Sequence, residues 1–333
     1  MIAAVHFQNF KALRSATVRL EPFNLLIGPN GSGKTSLIQA LLRLRALAAL
    51  PAAHAHEPAH PRAGGPRIDF EFTPPFERLR VTAAGVHEEI ACDTLIVDHP
   101  PGPEGAAAWE RLRGRLRTIR GFLFDHYAMA APAKRDDSGE LASNAGNLAA
   151  VLAGWRTAHP AVLAKLEGEF RRIVPEFSGL EFRETGDRVE FLARVDGDRV
   201  PADRLAQGTL YLLAVLALAF SPEPPGIVCL EEADRGVHPR MLREVRDALY
   251  RLSYPRDFGE QRAPVQVITT THSPYLLDLF KEHPEEVVLA NKHGREATFE
   301  RLSERADLRE LLGEASLGDL WYSGILGGTP DEA

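Results

Sequence analysis

Apolar positions at the start of the chain recur with strand spacing. Residues 2–7 alternate weakly, 9–13 read as a turn, and 16–20 and Phe23–Ile27 are two further strands separated by Pro22. A helical pattern follows to about Leu50, where Pro51 ends it, and 51–65 is a loop rich in Ala, Pro, His and Gly. Residues 68–72, 78–81 and 86–91 alternate as an antiparallel, half-buried sheet would. Residues 106–120 carry a helical seam of Trp109, Leu112, Leu116 and Ile119, and 122–127 read as a strand. After a polar loop over 130–143, the pattern predicts helices over 146–156 and Pro160–Ile173, then a hairpin of 179–184 with Arg188–Val195. Residues 209–220 are apolar on every face and predict a buried helix, and 226–230 form the continuous apolar run of a central parallel strand. A helix over 239–252 with Pro at its first turn, a strand over 265–270, a helix over 273–280 and a strand over 286–290 complete an α/β alternation. The segment 317–328 is too aromatic for a solvated tail, so it is expected to dock on the body or on a partner.

This pattern divides the chain into an N-terminal lobe over 1–127, an insertion or lid over 128–200 and a C-terminal lobe over 201–333. The 333 residues are 44% hydrophobic and 26% charged, enough for a sizeable core. The formal net charge of −7 excludes bulk basic character, so any nucleic-acid contact must use a local patch or a dimer groove. Arg111, Arg113, Arg115, Arg117 and Arg120 on the 106–120 helix are a candidate for such a patch, but with no aromatic or Gly-rich loop beside them the solvated side of an amphipathic helix is the favoured account. Cys92 and Cys229 form no metal or disulfide framework, so a reducing cytoplasm is the expected compartment. His54, His56 and His60 lack companion carboxylates or cysteines, which favours a solvated loop over a metal site. The N-terminus has no leader pattern, and the longest apolar run is too short to span a bilayer.

Four motifs carry chemistry. Gly28-Pro29-Asn30-Gly31-Ser32-Gly33-Lys34-Thr35 reads G-x-x-x-x-G-K-T between a buried strand and a helix that begins with Ser36. Glycines let successive backbone N–H groups curl around phosphate oxygens, and the helix N-terminus adds its positive dipole end. Lys34 would bridge the β and γ phosphates, and the Thr35 hydroxyl would bind Mg²⁺. The strand 226–230 runs into Glu231 and Glu232, one carboxylate for Mg²⁺ and a second to polarise the attacking water. Thr271-His272-Ser273-Pro274 follows another predicted parallel strand, where His272 could donate a hydrogen bond to a γ-phosphate. Leu205-Ala206-Gln207-Gly208-Thr209 precedes the buried helix and could bind phosphate at its N-terminus, or be a plain cap.

In this order the motifs resemble the ABC-type ATPase heads of the SMC/RecF/OLD superfamily, and more narrowly its compact bacterial AAA-type members that lack a TOPRIM domain. Asn9-Phe10-Lys11-Ala12-Leu13 is similar to that family's opening, Gly28–Thr35 to its Walker A loop, and Leu205–Thr209 to its signature motif. The run from Glu231 to Pro239 is similar to its Walker B motif and D-loop, and His272 to its switch histidine. The resemblance covers both ends of the chain and is only general in the middle. It implies a P-loop NTPase head: a mixed central sheet with flanking helices, an antiparallel β subdomain and a small α+β insertion. It also implies an ATP- and Mg²⁺-dependent ATPase that closes as a homodimer, with Gln207, Gly208 and Thr209 meeting the partner's γ-phosphate. The family acts in DNA repair and anti-phage defence, which implies DNA or a separate effector such as a nuclease as partner.

Several departures bear on turnover. Ala206 stands where the signature has serine, Glu231 where many relatives have aspartate, and no glutamine lies between Gln39 and Gln207 to serve as the Q-loop residue, leaving His126 or Asp125 to complete the Mg²⁺ shell. Hydrolysis is expected to be slow. The ATPase subunit of an ABC transporter is the main alternative, disfavoured by the opening motif, the Glu-Glu pair and the missing Q-loop glutamine. A small-molecule kinase on the same core is disfavoured by His272 and the signature-like segment.

Overall fold

The computed structural model describes residues 1–50, 60–294 and 296–327. In chain order the elements are β1 (Ile2–Phe10), β2 (Leu13–Arg19), β3 (Phe23–Ile27), α1 (Lys34–Ala49), β4 (Arg67–Phe72), β5 (Arg80–Ala84), β6 (Thr94–Asp98), α2 (Pro103–Leu116), β7 (Ile119–Phe122), α3 (His126–Ala130) and β8 (Ala133–Lys134). There follow α4 (Leu148–Ala158), α5 (Pro160–Ile173), β9 (Phe177–Thr185), β10 (Arg188–Val195), β11 (Asp198–Pro201), α6 (Gln207–Ala219), β12 (Ile227–Leu230) and α7 (Leu242–Ser253). The chain closes with β13 (Gln266–Thr270), α8 (Pro274–Asp278), β14 (Val287–His293), β15 (Glu296–Arg301), α9 (Leu308–Glu314) and α10 (Leu317–Tyr322). His54 and His56 lie outside the described residues, and His60 is exposed.

Two compact units are assembled from separated stretches. The first comprises residues 1–120, 225–229 and 264–333, and the second 121–224 and 230–263.

The first unit contains a mixed six-stranded sheet in the order β15-β14-β3-β13-β12-β7, up to the last residues of β12 and β7. β3 lies between two parallel neighbours, with Leu25 opposite both Thr269 of β13 and Val287 of β14. All five residues of β3 and of β13 are buried, the polar Asn24, Gln266, Thr269 and Thr270 among them, so neither strand shows a one-sided alternation. A second, antiparallel sheet has the order β2-β1-β4-β5-β6. Its strands alternate clearly: in β4, Ile68, Phe70 and Phe72 are buried while the residues between them are partly exposed. The inner faces of both sheets and one face of α1 share a core that includes Val5, Phe70, Leu37, Leu41, Ile268 and Val288. Gln266 links the sheets: its Oε1 accepts from the Ile2 N–H at 3.0 Å, and its Nε2 donates to the Ile2 carbonyl at 2.8 Å. No helix among the described residues is long and apolar enough to cross a membrane.

The second unit packs α4 and α5 on the β9–β10 hairpin, where Phe170 meets Phe177 edge-on at 4.6 Å. α6 is buried from Leu210 to Ala219 and packs on α7, α3, α4 and α5, as its all-round apolar sequence requires.

Four local expectations are corrected. Residues 86–91 are not a strand, because the Asp93 carboxylate takes the backbone N–H groups of Val86, His87 and Glu88 at 2.8–2.9 Å; the partner of β5 is β6 instead. The 106–120 helix is displaced to 103–116, since Pro103 starts it and Ile119 belongs to β7. The strand expected over 122–127 ends at Phe122, and His126–Ala130 forms a short helix capped by Asp125, whose Oδ1 accepts from the Ala128 N–H at 2.8 Å. The arginines of α2 are partly structural: Arg113 donates to the Ala48 and Leu50 carbonyls at the end of α1, and Arg115 lies 5.6 Å over the Phe76 ring. As expected of 317–328, α10 is docked, packing on α8 within the first unit; residue 328 lies outside the described residues.

Burial alone would raise the Asp93 carboxyl, but the three backbone donors and the Thr94 hydroxyl outweigh it and hold the group down at about 2. A folded-state value below the ordinary 3.8 stabilises the fold at pH above about 4, and that contribution disappears as pH falls toward 2. Asp93→Ala is therefore expected to lose about 1–3 kcal/mol at pH 7. Urea titrations at pH 7 and pH 3 should show the deficit shrinking at the lower pH; an equal deficit at both would contradict this account.

Candidate functional site: the P-loop and its companions

β3 ends at Ile27, and the chain turns at once through Gly28, where φ is 148° and an added Cβ would lie 2.1 Å from the Ala290 carbonyl oxygen of β14. Gly31 and Gly33 also take positive φ, 77° and 96°, and Gly33 is the residue from which α1 starts. Asn30, Gly31 and Thr35 are exposed, Ser36 is partly exposed, and Ser32, Gly33 and Lys34 are buried. The Lys34 ammonium donates to the Gly28 and Pro29 carbonyls at 2.7 and 2.8 Å, which keeps the cation within the loop. Ser32 Oγ is buried and has no hydrogen-bond partner among the described residues. No side chain caps α1 and no acidic residue occupies its first turn, so its N-terminal field favours an anion.

These residues fit a nucleoside triphosphate. The glycines bring backbone close to a ligand, the orphaned Ser32 hydroxyl supplies a polar contact, and Lys34 provides the cation. On the neighbouring parallel strand, the Thr271 N–H donates to the Leu26 carbonyl at 3.2 Å. His272, exposed and just beyond it, thus leaves the sheet beside the end of β3. Ser273 then caps α8 by accepting from the Leu276 N–H at 3.2 Å.

Sequence reasoning missed a flank of this loop. A cleft of about 310 Å³ beside Gly31 is lined by Lys11 and Arg14 from the β1–β2 hairpin and by Lys292 and Glu296 from the β14–β15 hairpin. Lys292 Nζ lies 3.5 Å from where a Cβ on Gly31 would be. Only Lys11 was legible, through the opening motif; without β15, nothing marked Lys292 as part of a hairpin.

The second unit carries the acidic pair and the signature-like segment. The Glu231 N–H donates to the Phe122 carbonyl at 2.8 Å. Glu232 is a non-glycine residue at φ 55°, its carboxylate 3.4 Å from Arg235. Gln207, Gly208 and Thr209 form the first turn of α6, and an added Cβ on Gly208 would approach the Gly236 carbonyl oxygen to 2.8 Å. The signature-like turn and the D-loop-like turn are therefore in contact within one chain. Ala206 sits at the N-cap of α6 and offers no side-chain acceptor. Asp125 is engaged as the cap of α3, and the His126 ring lies tilted against Tyr127 at 3.8 Å.

Two family models match the chain. One, described as "AAA ATPase domain", covers residues 1–54, and the other, described as "AAA domain, putative AbiEii toxin, Type IV TA system", covers residues 120–278. Among solved structures, the SMC head domain from Thermotoga maritima matches with a TM-score of 0.51 at 14% identity, over 90% of this chain and 98% of that one. The fold is that of an SMC head domain. No curated protein matches the chain in sequence. Residues 1–54 and 120–278 are thus similar to AAA-type ATPase domains, and the chain shares the fold of an SMC head domain.

Ser32 separates stability from binding. Leaving a buried hydroxyl without a partner costs about 1–3 kcal/mol, so Ser32→Ala is expected to keep or raise the Tm in thermal unfolding. The same variant should weaken ATP several-fold in calorimetric titration; unchanged affinity would place the hydroxyl away from the phosphates.

Proposed function

We propose that this chain binds ATP with Mg²⁺, hydrolyses it slowly, and closes as an ATP-dependent homodimer that directs a separate effector chain in anti-phage defence or DNA repair. The observation that carries the reading is the loop itself: positive-φ glycines, a buried lysine and an orphaned buried hydroxyl at an uncapped helix start. Asn30, Gly31, Ser32, Gly33, Lys34, Thr35 and Ser36 take the phosphates. Thr35 and Glu231 hold Mg²⁺, which when bound neutralises phosphate charge. Glu232 orients and deprotonates the attacking water, and His272 donates to the γ-phosphate.

Gln207, Gly208 and Thr209 complete the partner's site. Support for this part is the half-buried N-terminal turn of α6, where the exposed Ala206 leaves backbone donors uncapped by any side chain. The dimer reading also draws on the SMC-head fold, and the defence reading on the words AbiEii toxin and Type IV TA system in one matched description. That description favours a protein partner over direct action on DNA. The reading implies a cytoplasmic protein, where ATP is supplied, in keeping with the lack of any membrane-crossing helix among the described residues.

Glu232→Gln keeps shape and hydrogen bonding but removes the base. It is expected to bind ATP normally, lose at least about 100-fold in kcat and elute as a dimer with ATP in light-scattering chromatography at micromolar protein. A variant that stays monomeric with ATP bound would end the clamp reading. Lys34→Ala should abolish ATP binding and with it the dimer. Ala206→Ser restores a cap acceptor and is expected to stabilise the chain by roughly 0.5–2 kcal/mol in denaturant titration.

A further inference from the structure

Tyr211 is the one polar side chain in the buried length of α6 from Leu210 to Ala219. Its ring is 1% exposed and meets Phe124 edge-on at 5.3 Å, packing that a phenylalanine would supply equally well. The hydroxyl is therefore the informative atom, because a buried phenol requires a partner. It donates to the backbone carbonyl of Glu232 at 2.7 Å. The same carbonyl accepts the Arg235 N–H at 3.0 Å, which occupies both of its lone pairs.

Glu232 needs this support. A glutamate at φ 55° lies in the strained left-handed region, and such a residue persists only where its surroundings over-determine it. Short-chain Asn or Asp tolerate that region through local side-chain hydrogen bonds, whereas Glu does not. The turn from Glu232 to Gly236 is instead clasped from outside by α6: Tyr211 holds its first carbonyl, and Gln207 and Gly208 press on Gly236 at its end. The Gln207 side chain lies close over Gly236, where an added Cβ would fall 2.5 Å from its Cδ. Burial first, and the nearby Asp234 and Glu232 next, push the Tyr211 phenol well above its ordinary value of 10, so the hydroxyl remains a donor at every working pH.

We infer that Tyr211 is a positioning residue for ATP hydrolysis: its hydroxyl fixes the left-handed backbone of Glu232 and thereby aims the carboxylate, tying that aim to the signature-like helix of the same chain. The inference rests on the proposed ATPase reading with Glu232 as base. It assigns Tyr211 no contact with nucleotide, so ATP affinity should not depend on it, while turnover should.

Tyr211→Phe in the full chain deletes one oxygen and keeps the ring. Its kcat for phosphate release is expected to fall at least about ten-fold, with ATP affinity by titration unchanged. In a Glu232→Gln background the same substitution should lower the residual rate no further, as expected when one residue acts through the other. Phe124→Leu loosens the same ring with the hydroxyl bond intact, and should lower the Tm while leaving kcat within about two-fold of the parent chain. The inference is overturned if Tyr211→Phe keeps its kcat, if it cuts the residual rate of Glu232→Gln by the same factor, or if Phe124→Leu costs as much kcat as Tyr211→Phe. An unmodified chain that neither binds nor hydrolyses ATP would instead defeat the ATPase reading itself, before any variant is compared.

Discussion

The close approach of β14 to the end of β3 is the constraint on which the site depends. At Gly28 the chain must leave the sheet where the Ala290 carbonyl already fills the position a Cβ would take. Only glycine fits there, and its φ of 148° sets the direction in which Pro29 and the following residues curl. The strand that delivers the chain to this point is held by parallel neighbours on both edges and is buried throughout, so the start of the loop has little freedom. The end of the loop is equally constrained, because α1 buries Leu37, Ile38, Leu41 and Leu44 in the shared core. A phosphate cradle made of backbone amides is only as well positioned as its two ends, and here both are anchored by apolar burial.

The same constraint explains the placing of polar groups. Lys34 is 7% exposed, and an ammonium so deeply buried requires acceptors. The first residues of its own loop supply them, which keeps the cation beside the backbone donors rather than in solvent. The cleft next to Gly31 extends this basic environment through Lys11, Arg14 and Lys292, in a protein whose net charge is −7. Attraction for a polyanion is thus local, and the acidic remainder of the surface opposes nonspecific binding of nucleic acid.

The elements that position the site were legible in sequence because burial there is extreme. β3, β12 and β13 are buried throughout and α6 from Leu210 to Ala219, and the G-x-x-x-x-G-K-T loop falls between β3 and the half-buried α1. What escaped was decided by partners distant in sequence or by single side chains. Residues 86–91 alternate as a strand would, yet Asp93 captures their donors. α3 is five residues long and owes its start to Asp125, in a run of aromatic residues that reads as a strand. The basic cleft joins two hairpins from opposite ends of the chain, and no local pattern announces such a meeting. Glu231 and Glu232 could be picked out as a pair, but the left-handed turn at Glu232 could not, because glutamate has no preference for it.

That turn separates what is fixed at the acidic pair from what can move. The backbone is held on both sides, at Glu231 by the Phe122 carbonyl and at Glu232 by Tyr211 and Arg235. The Glu232 carboxylate, by contrast, is 46% exposed and its link to Arg235 is a 3.4 Å surface pair, an interaction worth only about 0–1 kcal/mol. The peptide beneath it does not move without breaking the hydrogen bonds from Tyr211 and Arg235. Under the proposed reading of Glu232 as the base, such a held backbone is what its carboxylate needs, since a rigid peptide limits the directions the side chain can take.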